Sequence, residues 1–237
     1  MMNDISGKQM IIDKIIKEIK NDKYLKDDKL PSDNTLSKEF NIPRIEVRKG
    51  YETLETMGYV YSLQGRGRFV MERNKEIKLT LTGDESFSKK LEECGYNVET
   101  INIFCEKIDY IKEIYDKLNA IEEEEVYKIG RLRLIDNEPV AIHISYVRRE
   151  IFNDINEVGH LIKSIFDYYK EKGFSVFKSE ECLLSIDYPD YYERKFLEAY
   201  ELSPILRLKT NCIDLESNTV LEYTEAIYRG DKFSYGI

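Results

Sequence analysis

Residues 30–70 read LPSDNTLSKEFNIPRIEVRKGYETLETMGYVYSLQGRGRFV, and this stretch decides the fold of the N-terminal part. Pro31 ends an extended entry. Ser32 is a good N-cap for a short helix carrying Leu36 and Phe40, because its hydroxyl can accept from an N–H that the first turn leaves unpaired. Asn41-Ile42-Pro43 breaks that helix: Pro43 disfavours helical geometry at Ile42 and brings no donor. Pro43 also suits the start of a second helix, where its missing N–H costs nothing. Val47, Tyr51, Leu54 and Met57 then recur at helical spacing on one face, while Arg44, Glu46, Arg48 and Lys49 fall on other faces near the helix start. Gly58 is placed to end the helix in a left-handed conformation. Residues 59–63 and 68–71 read as strands, with Gln64-Gly65-Arg66-Gly67 as a hairpin tip whose two glycines permit positive φ. Upstream, Ile12, Ile15, Ile16 and Ile19 form a helical stripe expected to close a three-helix core. Helix, tight turn, helix and two-stranded wing make a winged helix-turn-helix, a shape that enters a DNA major groove.

The chain of 237 residues is long enough for two cores. Residues 1–72 carry 13 Lys and Arg against 12 Asp and Glu, while residues 73–237 carry the remaining 23 against 33. Net charge is therefore +1 in the first part and −10 in the second, out of −9 in all. What counts for DNA is the local field at the contact surface, and residues 41–70 hold Arg44, Arg48, Lys49, Arg66 and Arg68. The acidic second part has no reason to touch a phosphate backbone. No apolar run approaches the roughly 20 residues a membrane span needs, so no membrane partner is expected. The start, Met1-Met2-Asn3-Asp4, has neither the basic opening nor the apolar stretch of a signal peptide, and a cytoplasmic location is expected. Cys94, Cys105, Cys182 and Cys212 are scattered without CxxC spacing and read as free buried thiols. With only His143 and His160, no His-based metal site is expected.

Residues 73–82 read as a polar linker that can add a strand, and as the expected hinge. Residues 83–237 read as mixed α/β. Helices are expected at 86–95, 110–119, 160–172 and 191–200, and a strand at 96–108. One hairpin is expected from 126–135 and 140–147 across Asp136-Asn137-Glu138-Pro139, another from 205–214 and 220–228 across Glu216-Ser217-Asn218-Thr219.

The N-terminal residues resemble the GntR family of bacterial transcriptional regulators. The resemblance is carried by Leu30-Pro31-Ser32, Leu36, Arg44, Val47-Arg48, Leu54, Gly58-Tyr59-Val60, Gln64-Gly65-Arg66-Gly67 and Phe69-Val70. It implies DNA contacts from Ser32, Asn34, Arg44, Ile45, Glu46, Arg48, Gln64, Gly65, Arg66 and Gly67. Two departures stand out. Family members commonly carry arginine where this chain has Asn34, and small hydroxyl residues where it has Ile45 and Glu46. A carboxylate at Glu46 could accept from a cytosine amino group, so an unusual operator is expected.

The second part is similar to the effector domain of the HutC branch of that family, the UTRA domain. The matching residues are Ser86-Phe87, Gly95, Arg131-Leu132-Arg133, Glu138-Pro139-Val140-Ala141, Tyr146, Leu206, Glu222 and Tyr228-Arg229-Gly230-Asp231-Lys232-Phe233. The resemblance implies an α+β chain: a winged helix-turn-helix at 1–72, a linker at 73–82, and a chorismate-lyase-like antiparallel-sheet domain at 83–237 that binds an effector and dimerises. Arg131 and Arg133, two apart on one strand, leave the same face. Two guanidiniums there are either an anion clamp or a solvated face paired to the many acids. The resemblance favours the clamp and implies effector contacts at Phe87, Ser88, Arg131, Arg133, His143, Ser164, Phe166, Glu222 and Tyr228. At His143 many relatives have glutamate, and at Phe166 sugar-phosphate readers tend to have tyrosine, which argues for a changed ligand. Read without the resemblance, His143 is equally an ordinary half-buried histidine. Arg229 and Asp231 are expected to pair within the closing turn.

The expected function is a DNA-binding repressor that acts as a homodimer on double-stranded operator DNA and is released by a small anionic metabolite such as a sugar phosphate. No cofactor beyond that effector is expected. The competing readings are a constitutive DNA-binding regulator and a lyase-fold enzyme. Nothing in the sequence forms a nucleophile–base constellation, metal spacing or glycine-rich phosphate loop, so an enzyme is not expected.

Overall fold

The computed structural model describes residues 6–71, 77–80 and 87–236. Two compact units emerge, residues 1–75 with 200–203 and residues 76–199 with 204–237.

In the first unit, α1 (Gly7–Lys20) is N-capped by Ser6, α2 (Asp33–Phe40) by Ser32, and α3 (Arg44–Thr56) follows Pro43 directly. Asn41 closes α2 in the left-handed region at φ 52°, and Gly58 leaves α3 at φ 73°. β1 (Val60–Leu63) and β2 (Gly67–Val70) form the antiparallel wing, with Leu63 opposite Gly67. Ile11, Ile12, Ile15, Leu36, Val47, Tyr51 and Leu54 make the core, with Ile16 and Ile19 half-buried beside them. The sequence stripe omits Ile11, which is fully buried because Gly50 lets α1 approach α3; a Cβ at Gly50 would lie 2.9 Å from that of Ile11. A helix of eight residues such as α2 is not stable alone. Its place is held by Leu36, whose truncation to alanine would cost about 2–5 kcal/mol.

In the second unit, β3 (Ile77–Thr80) pairs in parallel with β11 (Phe233–Gly236). Part of the expected linker is thus a strand, because Ile77 alternates with Lys78 and buries itself in the domain core. Residues 72–76 and 81–86, on which the rest of the linker and the start of the first expected helix fall, lie outside the described residues, as do residues 1–5. α4 (Phe87–Glu93), β4 (Val98–Lys107), α5 (Lys112–Leu118), β5 (Val126–Ile135) and β6 (Glu138–Arg148) follow. The β5–β6 turn is only Asp136-Asn137, both at positive φ (51° and 67°), the pattern of a type I′ hairpin. Next come α6 (Ile155–Val158), α7 (Ile165–Glu171), β7 (Phe177–Lys178), β8 (Cys182–Asp187), α8 (Tyr191–Leu197), β9 (Ile205–Asp214) and β10 (Val220–Arg229).

The main sheet is antiparallel throughout and runs β4-β5-β6-β10-β9-β7, with β8 also on β9. α4, α6 and α7 pack on the face that carries Ile129, Ala141, Cys212 and Tyr228. α5 and α8 cover the other face, which carries Leu132, Ile142, Tyr146 and Ile227. Three expectations are corrected. The helix expected at 160–172 is a single 3-10 turn at Gly159–Leu161 and then α7, because Ile162 is extended and Ser164 caps a new helix through Asp167 N at 3.3 Å. The helix expected at 191–200 ends at Leu197, where Glu198 turns left-handed. All four cysteines are free, but only Cys212 is buried; Cys105 is half-buried and Cys94 and Cys182 are exposed.

Candidate functional site

On the first unit, the start of α2, the start of α3 and the wing tip enclose a groove of about 360 Å³. Ser32, Asn34, Arg44, Gly65, Arg66 and Gly67 line it, so three stretches far apart in sequence converge on one surface. Ile45, Glu46, Arg48 and Gln64 do not line the groove. Arg44, Arg48 and Arg66 are exposed and make no ion pair with any described residue. Ser32 spends its hydroxyl on the α2 cap, accepting from Thr35 N at 3.2 Å. Glu46 is half-buried and 3.4 Å from Lys49 Nζ. Arg68, though in the groove wall, is tied down: it pairs with Asp33, approaches Glu55 at 3.4 Å and lies 4.4 Å from the Tyr51 ring centroid. It holds the wing to the helices.

On the second unit, the period of two along β5 and β6 puts Arg131, Arg133, His143 and Ser145 on one sheet face, with His143 opposite Arg131. This face is not solvated. Arg131 is 1% and Arg133 4% exposed, which removes the reading of two arginines on an open strand. Arg131 donates to Ser145 Oγ and lies 3.8 Å from Glu222 Oε1. Arg133 donates to Thr100 Oγ1, to Lys163 O at 3.0 Å and to Ser88 Oγ at 3.3 Å, with its guanidinium 5.9 Å from the Phe87 ring centroid. Phe87 meets His143 edge-on at 4.8 Å, and His143 meets Tyr228 at 5.4 Å. Ser164 serves as the α7 cap, and it is the preceding carbonyl, that of Lys163, that reaches Arg133. Phe166 stands farther out, against Phe177 at 5.2 Å and Tyr169 at 6.3 Å.

The cluster is electrostatically incomplete. Two buried guanidiniums face one buried carboxylate, Glu222. Burial, with Arg131's charge behind it, pushes the Arg133 guanidinium down to about 9. Burial and the two arginine charges hold His143 well below the usual histidine range, so it is neutral. Arg131 Nε, Arg133 Nε and His143 Nε2 are buried without a hydrogen-bond partner among the described residues. Each such group costs about 1–3 kcal/mol. Glu222 Oε1, on the same face, is likewise without a partner among the described residues, and the four atoms mark a place where a ligand's oxygens and hydroxyls would relieve both the charge and the missing bonds.

Residues 8–70 match the bacterial regulatory proteins of the gntR family, and residues 93–234 match the UTRA domain. The chain belongs to the GntR family. It is a DNA-binding transcriptional regulator and not an enzyme. Similar proteins include the HTH-type transcriptional repressor NagR of Bacillus subtilis (strain 168), 28% identical over 95% of this chain and 91% of its own length. The HTH-type transcriptional regulator TreR of the same organism is 26% identical over 93% of this chain and 92% of its own. In structure the chain is similar to PhnF from Mycobacterium smegmatis, with a TM-score of 0.63 at 17% identity, covering 95% of this chain and 97% of that one. Among the described residues of this GntR-family regulator, no helix is long and apolar enough to cross a membrane.

Sequence reasoning missed several members of the UTRA-domain cluster. Ser145 and Thr100 accept from the two arginines, and Tyr169 is fully buried, its phenol pushed far up by burial and the Glu222 carboxylate. Ser145 was within reach of the strand period, since it shares a face with His143. Thr100 and Tyr169 come from separate elements, and nothing local announces that they converge.

Proposed function

We propose that this regulator represses transcription as a homodimer on a two-fold operator and releases it when a small anionic metabolite binds among Arg131, Arg133, His143, Glu222, Tyr228, Phe87 and Ser88. The observation that carries the reading is the pair of buried guanidiniums with a single carboxylate and an unpartnered Nε on each. Planar guanidiniums suit phosphate and carboxylate oxygens. A sugar phosphate fits the class, with its anion on the arginines; neutral His143 supplies a ring nitrogen where relatives supply a carboxylate. The similarity to a protein named as a repressor supports the sign of regulation.

A homodimer is supported by β8, an edge strand whose Leu183, Leu184 and Ile186 are exposed next to Tyr188, Tyr191 and Tyr192. Open apolar edges are rarely left bare. The DNA half of the reading places Arg44, Arg48 and Arg66 on bases or phosphates, with Ser32, Asn34, Ile45, Glu46, Gln64, Gly65 and Gly67 around them. The protein acts where its operator is, in the cytoplasm, and needs no cofactor besides the effector. Ligand binding has to favour the released state by about 1–3 kcal/mol, or roughly 5–150-fold in operator affinity.

The test is a thermal-shift screen of phosphorylated and carboxylated metabolites on the wild type and on Arg131→Ala/Arg133→Ala, with operator release measured for every hit. Retained operator binding by the double variant shows that its DNA-binding unit is intact. A releasing ligand that is neutral, or that binds the double variant equally well, overturns the anion clamp.

A further inference from the structure

We infer that Ile45 reads the C5-methyl group of one thymine in each half-site and so fixes a base that the arginines beside it do not. The inference rests on the DNA-binding role of α3. Single exposed apolar residues are ordinary on protein surfaces. This one is distinguished by its position. Ile45 is the second residue of α3 and is 53% exposed. At 100° per residue, Val47, Gly50, Tyr51 and Leu54 define the buried stripe of α3, and Ile45 falls opposite its centre. Its side chain therefore stands at the middle of the helix surface that a groove meets, with the exposed Arg44 and Arg48 to one side.

Glu46, the other departure from small hydroxyl residues, is turned away. A Cβ at Gly7 in α1 would be 3.3 Å from that of Glu46, and its carboxylate is engaged by Lys49. Ile45 rather than Glu46 thus takes the central reading position. A branched hydrocarbon cannot accept or donate, and the apolar group that the major-groove edge of a base pair presents is the thymine methyl. Arg44 and Arg48 can hold guanine edges or phosphates from the flank, and a thymine between those contacts gives Ile45 a partner that buries it.

The test uses the full-length protein and duplexes it selects from a random library, resynthesised with each thymine replaced in turn by deoxyuridine, which removes the methyl and nothing else. Wild type should lose about fourfold in affinity at one thymine per half-site, the worth of one buried methyl. Ile45→Ala should bind the parent duplex at least that much more weakly and should not distinguish the parent from the substituted duplex. Ile45→Val, which keeps a branched apolar tip, should still distinguish them. If every deoxyuridine duplex binds wild type like its parent, or if Ile45→Ala still discriminates, the inference is overturned while DNA binding stands. If no duplex is enriched at all, the DNA-binding reading falls and the inference with it.

Discussion

Arg131 Nη2 and Glu222 Oε1 lie 3.8 Å apart although their strands, β5 and β10, are separated by β6. The distance is too long for a hydrogen bond, and the guanidinium donates to Ser145 on the intervening strand instead. Glu222 therefore compensates Arg131 through its charge more than through a bond. Glu222→Gln keeps the shape and removes that charge, and should cost about 3–5 kcal/mol, the usual loss when one partner of a buried pair goes. Chemical denaturation measures it. Added inorganic phosphate should restore more stability to the variant than to the wild type, and equal gains would mean that phosphate does not enter the cluster.

Arg66 and Arg68, two residues apart on the wing, should behave oppositely. Arg66 is exposed at the glycine-flanked tip, whereas Arg68 lies over Tyr51 and pairs with Asp33. Arg66→Ala should leave the melting temperature unchanged and flatten the salt dependence of operator binding by about one ion. Arg68→Ala should destabilise the winged domain by about 1–3 kcal/mol through the lost ion pair and ring contact. Titrations at several salt concentrations beside thermal melts separate the two.

The edge strand β8 carries Ile186 at 76% exposure. Ile186→Lys puts a charge on that edge without touching the core of either unit, and charged edges resist pairing. Sedimentation should show the dimer population falling at micromolar concentration, with operator affinity falling alongside it. An unchanged sedimentation coefficient would mean that β8 carries no pairing between copies.

Stability in acid should depend on Asp231. Burial raises its pKa, but hydrogen bonds from Arg229 at 2.7 and 3.1 Å, with that charge, outweigh the burial and lower it overall. A lowered folded-state value gives stability that is present above the ordinary aspartate value of about 3.9 and is lost as pH falls through the folded value. Asp231→Asn should lower stability at neutral pH by about 2 kcal/mol and make the decline below pH 4 shallower. Parallel acid-unfolding curves for the two proteins would show that the Arg229 contact carries no such linkage.

The winged domain was legible because its signals are local. Ser32, Asn41, Pro43 and Gly58 each act within a turn of where they stand, and all four mark element ends in the structure. The long hairpin strands of the second unit were legible for the same reason, through alternation and short turns. The misread region was 159–164, where no proline interrupts the pattern and the break comes from Ile162 seeking the core and Ser164 capping anew. β7 and β8 were not anticipated: β7 is two residues long, and every residue of β8 is exposed, so no buried alternation shows in its sequence. Among the site residues, alternation placed Arg131 and Arg133 on one face correctly. That the face is buried could not be read, since arginines are usually solvated and the lid over them comes from α4 and α7, far along the chain.

The parallel pairing of β3 with β11 has a consequence in time. Ile77 takes its partner Phe233 from the far end of the second unit's sequence. During synthesis, roughly 150 residues must emerge between the two, which at about 5–20 residues per second is on the order of ten seconds. The winged helix is translated and able to fold before the strand that moors its neighbour exists. Each new molecule therefore passes through an interval in which the winged helix exists without a completed second unit, and a message cut short before β11 would leave that form as its product.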